Sequence, residues 1–222
     1  MFRRTELLIR DKINILHKSK VIIFGIGGVG GYVAEMLARS GVGNITLVDY
    51  DTVDISNKNR QIIATDSTLG KYKVDVMKDR IVDINSECNV IAIKDKLTKE
   101  NISNFNLEAY DYIVDAIDMV TSKIALITYA HSNNIPIISA MGAGNRVGVP
   151  NFVITDISNT YNDGLAKVLR KKLRENNITS HKVVFCENKA ISCGETIGSI
   201  AYFPAISGCM LSAYVIEELI KE

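Results

Sequence analysis

Residues 21–51 constrain this chain more than any other stretch. They open with VIIF at 21–24, a short apolar, β-rich run of the kind expected for a strand buried on both faces. Gly25, Gly27, Gly28 and Gly30 follow at once in the pattern GIGGVG, and a helical run leads on to Ser40. In such a turn the first glycine permits a tight strand-to-helix reversal, the second lets backbone approach a phosphate, and Gly30 lets helix and strand pack closely. The helix N-terminus offers free N–H groups and a positive dipole end to an anion. Residues 45–48 (ITLV) read as a second strand. Asp49 ends it about 20 residues past the glycines, where a ribose-binding carboxylate belongs. A glycine pattern alone can be a packing turn, with Asp49 a mere strand end. Strand, glycines, helix and acid in this order point instead to a nucleotide site.

The 222 residues, 47% of them hydrophobic, suffice for one well-buried core and fit one α/β domain with elaborations. A net charge of +1 excludes a global field that draws the chain to nucleic acid, so any such contact has to be a local patch. Cys88, Cys186, Cys193 and Cys209 form no CxxC pair, which argues against a zinc ribbon and a disulfide framework. Scattered cysteines and a charged N-terminus without a secretory apolar core set the expected compartment as the reducing cytoplasm. No charge-free apolar run is long enough to span a bilayer.

Residues 5–18 read as a helix with Leu7, Leu8, Ile13 and Leu16 as its buried face and Thr5 as a cap. Arg4, just before it, reads on its own as part of a frayed, solvated terminus. After Asp49 and Asp51 comes the polar run SNKNRQ at 56–61, normally a solvated loop. This one follows a strand end that faces the nucleotide crevice of an open α/β sheet. There Asn57 suits a ribose or base, and the planar fork of Arg60 suits phosphate, which tilts the reading toward a triphosphate. Residues 70–85 read as a helix with the stripe Val74, Met77, Ile81 and Ile84. Lys73 near its start is disfavoured by the helix dipole unless an anion is nearby, a solvated lysine being the alternative.

Residues 90–93 and 112–115 read as the third and fourth strands, the latter running on to Asp118. Asp115 and Asp118 so close to the crevice suit magnesium bridged to phosphate, or Asp118 caps a helix over 121–133. Residues 135–138 read as a fifth strand with Pro136 at its start, before the turn Gly142-Ala143-Gly144. Five strands alternating with helices make a Rossmann-like, doubly wound, mostly parallel α/β sheet with helices on both faces. A C-terminal mixed α/β extension follows. It has a strand at 152–155, a helix at 163–176, a strand at 183–185, a candidate mobile loop at 187–198 and an apolar helix at 203–220. The 163–176 helix has a basic side of Lys167, Arg170, Lys171, Lys172 and Arg174, either a solvated face or a phosphate-backbone contact. The organisation expected is one domain over 1–222, with a nucleotide-binding core at 19–145 and a substrate or dimer extension at 146–222.

The motifs GIGGVG, Asp49-x-Asp51, SNxxRQ at 56–61, GxxK at 70–73 and DAID at 115–118 together resemble the ubiquitin-activating-enzyme-like adenylating superfamily, in its ThiF/MoeB-like branch. Within it the chain resembles the bacterial tRNA threonylcarbamoyladenosine dehydratases, through RTELLI at 4–9, MLARSGVGNITLVD at 36–49, NRQIIAT at 59–65, GAG at 142–144 and GSIAYFPAISG at 198–208. The resemblance implies a ligase-type enzyme. ATP adenylates the threonyl carboxylate of threonylcarbamoyladenosine beside the tRNA anticodon, the modification closes on itself, AMP leaves, and the net change is loss of water. It implies nucleotide contacts from Gly25, Gly27, Gly28, Gly30, Asp49, Asp51, Asn57, Asn59 and Gln61. It implies catalytic roles for Arg60 and Lys73 on the phosphates and for Asp118, which would hold Mg2+. Arg4 matches an N-terminal arginine that reaches the ATP of a neighbouring subunit, so the resemblance implies a homodimer. A sulfur-relay protein is a further partner it brings into view, and no membrane is expected.

Three departures stand out: Arg10 where the family often has glycine, Gly148-Val149-Pro150 after GAG where it usually has Asp-Pro, and Cys186 in place of a common serine. Three other readings remain. One is adenylation of the C-terminus of a ubiquitin-like sulfur carrier, although relatives with that role often carry paired zinc cysteines. Another is an NAD-binding protein, which leaves Arg60, Lys73 and Asp118 unexplained. The last is a cysteine-nucleophile mechanism through Cys186 or Cys193, against the commoner inert packing role of lone cysteines.

Overall fold

A computed structural model describes residues 1–194 and 196–221. Glu195, inside the loop expected over 187–198, lies outside the described residues, as does Glu222. Seven strands form one sheet in the order β3-β2-β1-β4-β5-β7-β6. They are β1 (Lys20–Phe24), β2 (Asn44–Val48), β3 (Asn89–Ile93), β4 (Tyr112–Asp115), β5 (Ile137–Ala140), β6 (Phe152–Asp156) and β7 (Lys182–Cys186). All neighbours are parallel except β6 and β7. The first five are the doubly wound core. The extension continues the same sheet, with β7 parallel beside β5 and β6 as an antiparallel edge.

Alternate residues of each central strand face opposite layers, as the pleat requires. On β1, Val21 and Ile23 pack on one side of the sheet and Ile22 and Phe24 on the other. The first side is covered by α3 (Gly30–Ser40), α4 (Lys73–Ile84) and α7 (Tyr202–Leu219), which contribute Val33, Leu37, Met77, Ile81, Phe203 and Leu211. The second is covered by α5 (Val120–Ser132) and α6 (Gly164–Glu175), through Leu126, Ile127, Leu169 and Leu173. Each such side chain, taken fully out of water, contributes roughly 1.5–3 kcal/mol. Among the described residues no helix is long and apolar enough to cross a membrane.

The N-terminal helix departs from the expectation. It is broken into α1 (Arg3–Ile9), a 3-10 turn and α2 (Ile13–Lys18). The break is at Arg10, whose φ of 52° lies in the left-handed region. That conformation explains why a glycine suits the position. Ile13 and Leu16 are buried as expected, but Leu7 and Leu8 are 76% and 84% exposed, because the break turns α1 away from the core. The helix after Gly70 begins three residues late, at Lys73, since Gly70 has φ 77° and Tyr72 is extended.

Candidate active site

Between β1 and β4 the chain order along the sheet reverses, and in open α/β sheets ligands bind outside the strand ends at such a switch. A cavity of about 590 Å³ opens there. Phe24, Val48, Ala116 and Ala140, at or just past the ends of β1, β2, β4 and β5, form its floor. This is a size that holds a nucleotide-scale ligand.

The glycine turn is the first wall. Gly25 has φ 86°, and a Cβ on Gly30 would lie 1.8 Å from the Gly25 carbonyl oxygen, so neither position accepts a side chain. Gly27 faces open space, its nearest prospective neighbour being Gln61 Nε2 at 3.8 Å. Asp49 fastens this turn. Its Oδ2 accepts from the Ile26 N–H at 2.6 Å and its Oδ1 from the Asp51 N–H at 2.8 Å. Burial raises the Asp49 carboxyl above its ordinary range, and the two backbone donors pull it partly back. Each oxygen keeps a second acceptor site for a ligand hydroxyl.

The polar loop after β2 is the opposite wall. Asn57 closes a capping box: its Oδ1 accepts from the Asp54 N–H at 3.1 Å, while the Asp54 side chain accepts from Ser56. Its amide NH2 is the end left for a ligand, touching only Ser56 Oγ at 3.5 Å. Arg60 Nη1 donates to the Ser56 carbonyl and to Asn59 Oδ1, both at 2.8 Å, which holds the fork against the cavity. Gln61 is buried with its Oε1 unpaired. Lys73, 6% exposed, starts α4 and donates to Asp51 Oδ2 at 2.8 Å.

Asp118 lies at the mouth, exposed, accepting no hydrogen bond among the described residues. Asp51, burial, Asp118 and Asp49 together push the Tyr50 hydroxyl up, while the Lys96 ammonium sits over the Tyr50 ring at 5.4 Å, so the mouth carries charges of both signs. The capping alternative for Asp118 fails, because α5 starts one residue after Met119 with no side-chain cap.

The structure thus brings Gly25, Gly27, Gly28, Asp49, Asp51, Asn57, Arg60, Gln61, Lys73 and Asp118 onto one cavity. Gly30 lies behind the turn. Asn59 sits off the wall, donating to the Ser199 carbonyl at 3.0 Å and so tying the loop to the segment before α7. Arg4 is on exposed α1 and does not line the cavity. Asp115 is corrected from a magnesium candidate. It is fully buried, with Oδ2 bonded to Lys123 Nζ at 2.7 Å and to Ser139 Oγ at 2.6 Å.

That pair belongs to a network the sequence did not announce. Ser139 Oγ lies 2.8 Å from His181 Nε2, and His181 Nδ1 lies 3.1 Å from Nε2 of the exposed His131. Since Ser139 donates to Asp115, His181 Nε2 is the donor to Ser139, and His181 Nδ1 accepts from His131. Burial, with His131 and Lys123 adding, lowers the His181 imidazole to about 3, so it is neutral. Asp115 Oδ1 also accepts from the Ile117 N–H at 3.1 Å and Lys123 donates to the Ala140 carbonyl at 3.1 Å, so the network supports the cavity floor. Only the coincidence of Asp115 and Lys123 eight residues apart hinted at it.

Neither cysteine suits a nucleophile's role here. Cys186 is buried, its thiol pushed up by burial, and Cys193 lies off the cavity wall.

The sequence matches the ThiF family over residues 3–222. The chain belongs to the ThiF family. Among ThiF-related proteins, the tRNA threonylcarbamoyladenosine dehydratase of Bacillus subtilis is 41% identical over 241 aligned positions, covering 100% of this chain and 95% of that protein. The crystal structure of the Escherichia coli tRNA threonylcarbamoyladenosine dehydratase in complex with ATP superimposes with a TM-score of 0.93 and 33% identity, covering 99% of this chain and 93% of that one. The molybdopterin-synthase adenylyltransferase of Haemophilus influenzae, another relative, is 31% identical over 93% of this chain and 76% of its own length.

Proposed function

We propose that this ThiF-family chain is an ATP-dependent tRNA threonylcarbamoyladenosine dehydratase. The observation that carries the reading is the cavity at the sheet's switch point, with Arg60, Lys73 and the open Asp118 carboxylate among its lining, in a chain that spans 95% of a dehydratase's length. Asp49 and the Asn57 amide hold the ribose. The backbone around Gly27 cradles phosphate, and the unpaired Gln61 Oε1 accepts a hydrogen bond from the bound nucleotide. Asp51 orients Lys73 for the phosphates, and Asn59 buttresses Arg60.

A carboxylate is a poor electrophile. Its oxygen attacks the α-phosphorus, the bond to the β-phosphate oxygen breaks, and pyrophosphate leaves. Lys73 and Arg60 offset the negative charge that grows on the phosphate oxygens, the largest resource open to such a site. An atom of the same modification's carbamoyl group then attacks the activated acyl carbon and AMP departs, so no enzyme nucleophile is needed. The net result is loss of one water.

Magnesium fits the site. Among the described residues no group of three or more His, Cys, Asp or Glu side chains converges as a protein cage, and Asp118 offers one free hard-oxygen donor on the cavity wall. One carboxylate plus substrate phosphates is how this ion is commonly held. When bound it neutralises phosphate charge. Asp118→Ala is expected to lose ATP-driven turnover, and full activity with ATP would remove this role.

The whole chain works as one unit in the cytoplasm and as a homodimer. Exposed Leu7 and Leu8 on α1 are an apolar patch for the partner, and Arg4 on the same helix reaches the neighbouring cavity's phosphates. An inserted arginine is worth roughly 10³–10⁵ in rate in related phosphoryl systems. The alternative substrate, the C-terminus of a sulfur-carrier protein, is favoured by the molybdopterin-synthase adenylyltransferase relative. Pyrophosphate release distinguishes the two. Release that requires tRNA carrying threonylcarbamoyladenosine supports the dehydratase, and release that requires a carrier protein with a free Gly-Gly end supports the alternative.

A further inference from the structure

α6 begins at the rim of the cavity. Leu165 in its first turn lines the wall, and its N-cap Asp163 is locked in place. Asp163 Oδ1 accepts from the Ala166 N–H, and Oδ2 accepts from the Gly142 N–H at 3.0 Å and pairs with buried Arg146 at 3.3 Å. Arg146 in turn donates to the carbonyls of Gly144 and Asn188. The helix is therefore fixed rigidly to the Gly142–Gly144 turn, itself part of the cavity wall.

From that anchor the outer side of α6 carries Lys167, Arg170, Lys171 and Arg174, at i, i+3, i+4 and i+7. Those positions share one helix face and span about 10 Å along it. The inner side is apolar, with Ala166, Leu169 and Leu173 buried. Among the described residues Lys167, Lys171 and Arg174 form no ion pair; Glu175 borders the same face, paired with Lys172 at 2.9 Å and held low by Lys172 and Lys171, which leaves the row with a net positive charge. Arg170 is steadied by the Thr160 carbonyl at 2.7 Å. Like charges at this spacing destabilise a helix, and Lys167 in the first turn also opposes the dipole. Yet the chain as a whole carries a net charge of only +1. A local cationic row that costs stability and starts at the substrate cavity calls for an external anion.

A nucleoside held in the cavity as part of a polynucleotide has phosphates on both sides that must leave across the rim. We infer that the outer face of α6 is the track for the RNA backbone flanking the reacting nucleoside, with Lys167 nearest the cavity and Arg174 farthest. This rests on the dehydratase reading and adds to it where the RNA lies. Sequence selection is not expected from this face, because phosphate contacts position a nucleic acid without reading it.

The test is binding of fluorescently labelled, threonylcarbamoyladenosine-containing tRNA to the intact protein across a salt series, for wild type and for Lys167→Glu/Lys171→Glu. A charge-matched control, Lys18→Glu/Lys20→Glu, alters the end of the sheet where β1 begins, opposite the strand ends that floor the cavity. ATP affinity is measured on all three to report folding. The expected result is tRNA affinity at least tenfold weaker for the α6 variant, a salt slope shallower by about two, and unchanged ATP binding. The control keeps the wild-type slope. Wild-type tRNA affinity and slope in the α6 variant overturn the inference, as does equal weakening in the control. Both outcomes leave the dehydratase reading standing if wild type dehydrates its substrate. A wild-type protein that binds no tRNA overturns that reading and this face together.

Discussion

Asp49 spends both of its oxygens on backbone before any ligand arrives, one on the glycine turn and one on the loop that leads to Lys73. The carboxylate proposed to bind ribose is thus also the pin that sets the two walls at their spacing. Lys73 is treated alike: it is buried, and its partner Asp51 orients it toward the cavity. Removing a preorganised donor of this kind typically lowers turnover 10²–10³-fold. Lys73→Ala is therefore expected to reduce the rate of tRNA-dependent pyrophosphate release by that order while the chain stays folded. His181 makes a second prediction at this scale. Its folded-state pKa, about 3, lies below the ordinary 6.5, so protonation favours the unfolded chain. Stability from this site is intact above pH 6.5 and is lost as pH falls from 6.5 toward 3, by up to about 1.4 kcal/mol per pH unit. Urea unfolding at pH 7 and pH 5 should show wild type losing about 2 kcal/mol more than His181→Asn over that interval. An equal loss in both contradicts a buried neutral imidazole.

At the scale of elements, α7 sets the rear of the site. A Cβ on Gly208 would lie 2.5 Å from the Val29 carbonyl oxygen and 2.8 Å from Tyr32 Cβ, so α7 touches α3 backbone to backbone. One turn earlier Pro204 packs over Gly28 and lines the cavity. Gly208→Ala is expected to cost about 1–3 kcal/mol by overpacking and, by moving Pro204, to weaken ATP binding. Calorimetric unfolding and an ATP titration check the two effects. The elements themselves were legible in the sequence because their patterns are local. Apolar runs marked the strands, although β5 runs over Ile137–Ala140, two residues later than the expected 135–138, and spacing of three and four residues marked α4. The exceptions share a cause. The break at Arg10 and the late start of α4 follow from single left-handed residues, which periodicity does not register. Leu7 and Leu8 have the right spacing for burial, but burial depends on what covers them.

The site depends on the whole molecule in a way its motifs do not. Gly25, Asp49, Arg60, Lys73 and Asp118 could be expected on one cavity from the sequence because they stand at or just past strand ends, in the loop after β2 or at a helix start, and the topology gathers those segments. The Asp115–Lys123–Ser139–His181 network was not, since its four members come from β4, α5, β5 and the residue before β7, and only the packed sheet makes them neighbours. The proposed homodimer belongs to this scale too. Leu8→Glu is expected to shift the protein to monomers in sedimentation and to depress turnover, because Arg4 then has no neighbouring cavity to enter. Mixing inactive Arg4→Ala with inactive Lys73→Ala protein should restore part of the activity, whereas no recovery contradicts a residue shared between subunits.

The central claim is tested most directly by weighing the nucleosides of a digested tRNA. The purified protein is incubated with ATP, magnesium and tRNA bearing threonylcarbamoyladenosine, and the digest is kept under mild conditions. The expected product is a nucleoside lighter by one water, formed only with ATP and not by Lys73→Ala. An unchanged nucleoside from protein that binds ATP would contradict it.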